Sequence, residues 1–212
     1  MLKLATLLVL LVILMPKPTY GQALQTFLPK ECKPAAQSSA EASAPGSRLV
    51  AIINGAFEFD FAGTTYGTGM RLSDGKANAW IYAFFDSVGD SVIFKPFGKV
   101  PFIGCTDASQ FLPVASVPGS TLGSETVPGA FIEGSALISA LNADGDYTAY
   151  RTAYPDSMPN ATVLTVSREP VLDYPSGTPF WFLTWTPSQE QSGMTCFVHA
   201  LSSETICVRV VS

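Results

Sequence analysis

The chain has 212 residues, 12 Lys plus Arg against 17 Asp plus Glu for a formal charge of −5, and 47% hydrophobic residues. Cations this sparse and scattered exclude nucleic-acid binding, which depends on clustered positive charge. Low charge density with this apolar content points to a packed, strand-rich globule with disorder confined to linkers.

The chain opens with Lys3, an uninterrupted apolar run from Leu4 to Met15, then Pro16 and small or polar residues. Residues 1–23 therefore read as a cleavable secretory signal peptide, the run being too short to cross a bilayer as a helix. Cleavage after Ala23 fits the small-residue rule, and cleavage after Gly21 is the alternative. No cysteine follows closely enough for lipid attachment, because Cys32 lies beyond Pro16, Pro18 and Pro29. The expectation is a secreted or periplasmic protein with no stable membrane insertion after signal removal. Losing Lys3 and Lys17 with the leader leaves ten cations against 17 carboxylates.

Residues 24–46, rich in Ala, Ser and Pro, read as a linker, and so do residues 113–130, rich in Pro, Gly and Ser. They bracket two compact stretches, 47–112 and 131–212. Ser47–Ala62 aligns without gaps on Ser135–Tyr150, matching Leu49 to Leu137 and Asn54 to Asn142. A serine at each N-cap position, apolar residues at helical spacing and a following Asn and Gly predict that each stretch begins with a helix of two to three turns. Downstream, Trp80, Tyr82 and Phe84 align on Trp181, Leu183 and Trp185. In both places a strand opening at Trp leads through a polar turn to a returning strand, and Gly67–Ala77 and Ala161–Val171 could each supply an earlier strand. The predicted fold is α+β: two tandem repeats, each a short helix packed on an antiparallel meander of three to four strands.

Four cysteines in an exported chain predict disulfides, with three connectivities open. The segment from Met194 to Val211 reads as two strands folded about Leu201–Glu204, which places Cys196 opposite Cys207 and leaves Cys32 with Cys105. Neither a C-x-x-C pair nor a zinc-like spacing around the single histidine, His199, is present.

The aromatic strands pose the functional question. Trp80, Tyr82 and Phe84 alternate against Ile81, Ala83 and Phe85, so both faces are apolar and a central buried strand is the preferred reading. The competing reading makes Trp80, Tyr82 and Phe84, with Trp181 and Trp185, an aromatic platform for a protein or peptide partner. Asn142–Tyr150 lacks a bidentate acid at the last position of a calcium loop, so Asp144 and Asp146 read as a solvated helix end. Asp86 and Asp90 read as turn residues. Nucleophile elbow, dinucleotide fingerprint and phosphate loop are all lacking, and no cofactor is implied.

The order of a short helix bearing Ala, Leu and Asn, a strand, a strand opening with Trp, and a last hairpin reading "HALSSETICV" resembles the PepSY-like domains of secreted bacterial proteins. Ala200 and Val208 take the Ala and closing Val of that family's ending, while His199 stands where its acid would be and no glycine occupies the turn. The resemblance implies a secreted, non-catalytic binding module, associated with propeptides and protease regulation, with no catalytic residues. A secreted glycan-acting hydrolase or carbohydrate-binding protein, and a purely structural envelope component, are the alternatives.

Overall fold

The structure, a computed structural model, describes residues 24–61, 63–186 and 192–210. The signal-peptide reading of 1–23 lies outside them. The described residues form an α+β fold, with three α-helices and a nine-stranded antiparallel sheet among them. A helix α1 (Pro29–Ser43) precedes strands β1 (Arg48–Gly55), β2 (Glu58–Phe61), β3 (Thr64–Gly67), β4 (Ala79–Asp86), β5 (Ser91–Val100) and β6 (Gly104–Asp107). A short strand β7 (Val117–Pro118) and one 3₁₀ turn lead to α2 (Ser135–Ala143) and α3 (Gly145–Ala153). Strands β8 (Ala161–Val166), β9 (Pro179–Trp185), β10 (Gly193–His199) and β11 (Thr205–Val210) close the order. Across the sheet they run β11-β10-β9-β8-β1-β4-β5-β6, with β7 on β5 and β2–β3 as a separate hairpin.

Two expectations fail at the start of the chain. Residues 24–46 are no linker: Pro29–Ser43 is a helix whose buried stripe is Cys32, Ala36 and Ala40. The fourfold spacing of small residues puts them on one face, and their size lets the helix lie close to the sheet. Pro29 occupies the first turn, where its missing N–H costs nothing. A search for large apolar residues overlooks such a helix. Conversely, the short helix expected to begin at Ser47 and stop near Asn54 is absent, because Arg48–Gly55 is strand β1, followed by β2. Its run Leu49-Val50-Ala51-Ile52-Ile53 is continuously apolar and rich in β-branched residues, the composition of a strand covered on both faces, and β1 lies between β4 and β8. It supplies the strand that had been expected from Gly67–Ala77, whose residues beyond β3 form none. The second helix does run from Ser135, and a further helix, α3, follows at once.

All three helices pack on one face of the sheet in a single core that includes Ala36, Leu137, Tyr150, Trp80, Leu164 and Trp181. Because β1 pairs with β8, the two stretches share this sheet and core. Asp144 links the layers: its Oδ1 accepts from Tyr147 N at 2.9 Å, capping α3, and its Oδ2 accepts from Cys207 N at 3.1 Å on the edge strand β11. Both oxygens of the acid considered for calcium are thus engaged by backbone donors. The disulfides are Cys196–Cys207, between residues directly opposed on β10 and β11, and Cys32–Cys105, joining α1 to β6. Two disulfides suit an oxidising compartment. Among the described residues, no helix is long and apolar enough to cross a membrane.

Glu31 ties α1 to the sheet. Its Oε1 accepts from Leu28 N at 2.7 Å, and its Oε2 pairs with Lys99 Nζ on β5 at 2.5 Å. Partial burial opposes its charge, but the Lys99 ammonium and the Leu28 N–H outweigh burial and hold its carboxyl below the ordinary range. A depressed folded pKa stabilises above the unfolded value and is lost as pH falls through the folded one. Glu31→Gln, which keeps an acceptor for Leu28 but drops the charge, is expected to cost about 0.5 kcal/mol at pH 7 after allowance for solvent screening. Denaturation curves should show that difference closing as the pH is lowered toward 3; a gap independent of pH would disprove the charge's role.

Candidate functional site

The five aromatics considered as a platform are not at the surface. Trp80, Tyr82, Phe84 and Trp181 are each 0% exposed and Trp185 is 2% exposed. They lie under the helices, where Trp80 and Trp181 meet edge to face with ring centroids 6.0 Å apart. Trp80 Nε1 donates to Phe27 O at 3.0 Å, Trp181 Nε1 to Ile132 O at 2.7 Å and Tyr82 Oη to Pro29 O at 2.6 Å. Each bond runs to the chain at or just before a helix start, so these rings set where the helices begin. Burial, then the negative charges of Glu133 and Glu31, push the Tyr82 phenol up, so it remains a neutral donor. Strand β4 is the buried central strand that its two apolar faces predicted.

The exposed apolar surface is on the other side of the same strands. Pairing places Ile206 opposite Phe197, Phe197 opposite Phe182, Phe182 opposite Val163, and Val163 opposite Ile53. Ile53 faces Ile81, which faces Pro96, so one apolar row crosses seven strands without a charge. Directly opposed residues in an antiparallel pair share a face. Val117 and Leu122 pack over the β1–β4–β5 part of this face, against Ala51, Ala83 and Val92. The remainder, on β8 to β11, is uncovered among the described residues: Phe182 and Phe197 are half-buried, and Ile206 and Val208 are 38% and 44% exposed. Phe182 packs edge-on against Phe180 and Phe197, with centroids 6.0 and 5.3 Å apart. Beside Phe182 opens a cleft of about 650 Å³ bounded by Leu122, Thr165, Arg168 and Val171. Arg168 is held there by its Nη1 donating to Ser120 O at 2.5 Å.

The alternation that buries Trp181, Leu183 and Trp185 also places Phe180, Phe182 and Thr184 on the opposite face. The sequence therefore contained this surface, in the residues between the tryptophans.

His199 ends β10 in a polar cluster at one end of the sheet. Its Nδ1 accepts from Ser202 N at 2.9 Å and Leu201 N at 3.3 Å, and Ser202 Oγ lies 2.9 Å away. The ring stacks on Tyr174 with centroids 5.2 Å apart. Glu204 Oε2 accepts from the Tyr174 hydroxyl and, at 3.0 Å, from Ser202 Oγ. The hydrogen bond from Tyr174 and that from Ser202 hold the Glu204 carboxyl below its usual range, and the same shared proton raises the Tyr174 phenol. A Ser-His-acid set is present by composition but arranged as a turn lock. The Leu201 and Ser202 N–H groups that could stabilise an oxyanion are already donated to the imidazole. Asp86 ends β4 and braces the β4–β5 turn, accepting from Val88 N at 2.9 Å. Among the described residues, no three His, Cys, Asp or Glu side chains are grouped to hold a metal ion. No protein-family model, curated protein or solved structure matches the chain.

Proposed function

We propose that this is an exported, non-catalytic binding module that takes a protein partner on the open face of its sheet, regulating a secreted protease or another envelope protein. The observation that carries this reading is the uncharged row from Ile206 through Phe197, Phe182 and Val163. A row of this kind offers contact area without the convergent polar groups that orient a sugar or a small substrate. It suits the apolar surface of another protein, with Phe182 and Phe197 as central anchors. The Arg168 cleft beside Phe182 adds a polar rim.

A two-repeat, PepSY-like layout fits this reading once its first copy is rephased. Helix α1 followed by β1, β4, β5 and β6, and helices α2 and α3 followed by β8 to β11, have the same order. The copies would join through β1 and β8, with Trp80 and Trp181 in corresponding places.

Capture from the native host's envelope and culture fluid tests the reading, with wild-type protein beside a Phe182→Ser/Phe197→Ser variant of unchanged far-UV circular dichroism. A protein retained by wild type and bound at least tenfold more weakly by the variant supports it, and any protease recovered is then assayed for inhibition. Equal retention by both, or glycan binding in place of protein, would sink it.

A further inference from the structure

The hairpin joining β5 to β6 breaks two local rules at once. Its tip is Pro101-Phe102-Ile103, with Phe102 101% and Ile103 65% exposed. Phe102 also has φ +65°, the left-handed conformation that a turn ordinarily gives to Gly or Asn. A bulky aromatic residue there accepts backbone strain and also exposes its whole ring to water. Neither penalty is repaid by a contact among the described residues, and such a position marks function more often than stability.

The tip is firmly held despite its exposure. Beside it on β6, Cys105 is bonded to Cys32 of α1, and on β5 Lys99 pairs with Glu31 of the same helix at 2.5 Å. Both strands of the hairpin are therefore tied to α1, and Phe102 and Ile103 project from a braced support. A preorganised apolar wedge loses little conformational freedom on binding.

We propose that the Phe102–Ile103 tip is a second, inserting contact of this binding module, which enters an apolar pocket of aromatic size on the partner protein. This rests on the protein-binding reading above. Lipid suits the tip less well: two apolar residues are a weak anchor, and a chain of net charge −5 is not drawn to an anionic surface. The positive φ also determines how the tip engages. Phe102 is not extended, so the tip inserts side chains and does not add a strand to the partner or lie along a protease cleft as a substrate would.

The test uses full-length secreted protein with Phe102→Gly, Phe102→Ser and Phe102→Trp, each measured for thermal stability and for affinity toward the partner captured by wild type. Phe102→Gly, freed of strain, is expected to melt about 2 °C higher and to bind at least tenfold more weakly, with Phe102→Ser also weakened. Phe102→Trp should be open to acrylamide quenching when free and protected when bound. If Phe102→Gly and Phe102→Ser bind as wild type while the Phe182/Phe197 variant does not, the tip is overturned and the sheet-face reading stands. Loss with the Phe102 variants alone would keep the tip and remove the sheet face. Failure of wild type to capture any protein overturns both. Vesicles of phosphatidylethanolamine and phosphatidylglycerol serve as the lipid arm, and Phe102-dependent flotation with them would overturn the protein-pocket assignment.

Discussion

Replacing Cys32 and Cys105 with alanine is expected to destabilise the protein by about 4 kcal/mol, against about 3 kcal/mol for Cys196 and Cys207, when loop closure alone is considered. The difference arises because the first bridge closes a separation of 73 residues and the second one of 11. Packing widens it. Cys32 is fully buried in the helix stripe with Ala36 and Ala40, which have little apolar area of their own to hold α1 on the sheet. By contrast, Cys196 and Cys207 lie on strands already paired along six residue positions. Urea denaturation of both double variants, followed by far-UV and near-UV circular dichroism, checks this. Loss of Cys32–Cys105 should also raise the proteolytic sensitivity of Pro29–Ser43 before the sheet unfolds. Equal losses from the two bridges, or a larger loss from Cys196–Cys207, would show that α1 docks without its staple.

The second large effect is expected at the tryptophans, in a specific order. Trp181→Ala should cost about 3–5 kcal/mol through the cavity it leaves. Substitution with phenylalanine separates the hydrogen bonds from the packing. Among the described residues, Trp181 Nε1 is the one donor to Ile132 O, whereas Phe27 O receives Ala77 N at 3.2 Å as well as Trp80 Nε1. Trp181→Phe leaves a part-buried carbonyl without its donor, at about 1 kcal/mol beyond the packing loss, and Trp80→Phe leaves one that retains a partner. Among the described residues Trp185 Nε1 is buried without a partner, while its ring packs on Tyr147 and Tyr150. Trp185→Phe should therefore be the mildest of the three. Equilibrium unfolding of the three phenylalanine variants gives the ranking. A Trp80/Trp181 double-mutant cycle should return a coupling of about 1 kcal/mol for their edge-to-face contact. If Trp80→Phe proved the costliest, the assignment of the helix starts to these carbonyls would be wrong.

These expectations bear on function through what they leave alone. The staple and the tryptophans lie beneath the helices or beside α1, while Phe182, Phe197 and Ile206 occupy the opposite face. Variants on the open face should alter binding with little effect on folding, and variants under the helices should do the reverse.

Much of this architecture was written locally. The alternation Trp80-Ile81-Tyr82-Ala83-Phe84-Phe85 marked a strand apolar on both sides, and β4 lies between β1 and β5. The polar turns located the β4–β5 and β10–β11 hairpins, and the second hairpin brought Cys196 opposite Cys207. Such features depend on period and turn chemistry within a few residues, which a sequence displays directly. Leu49–Ile53 was different, because a short apolar run satisfies helical and strand periods alike, and only its position between β4 and β8 decides. Helix α1 was hidden because its buried stripe is made of Cys and Ala, whose contribution depends on how closely the sheet approaches. The open apolar face was hidden for a third reason: alternation divides a strand's residues between two faces but cannot say which face the helices cover. In this protein the helices cover the tryptophans and leave Phe182 and Phe197 open, a choice made by the packing of Leu137, Tyr147 and Tyr150 against one side of the sheet.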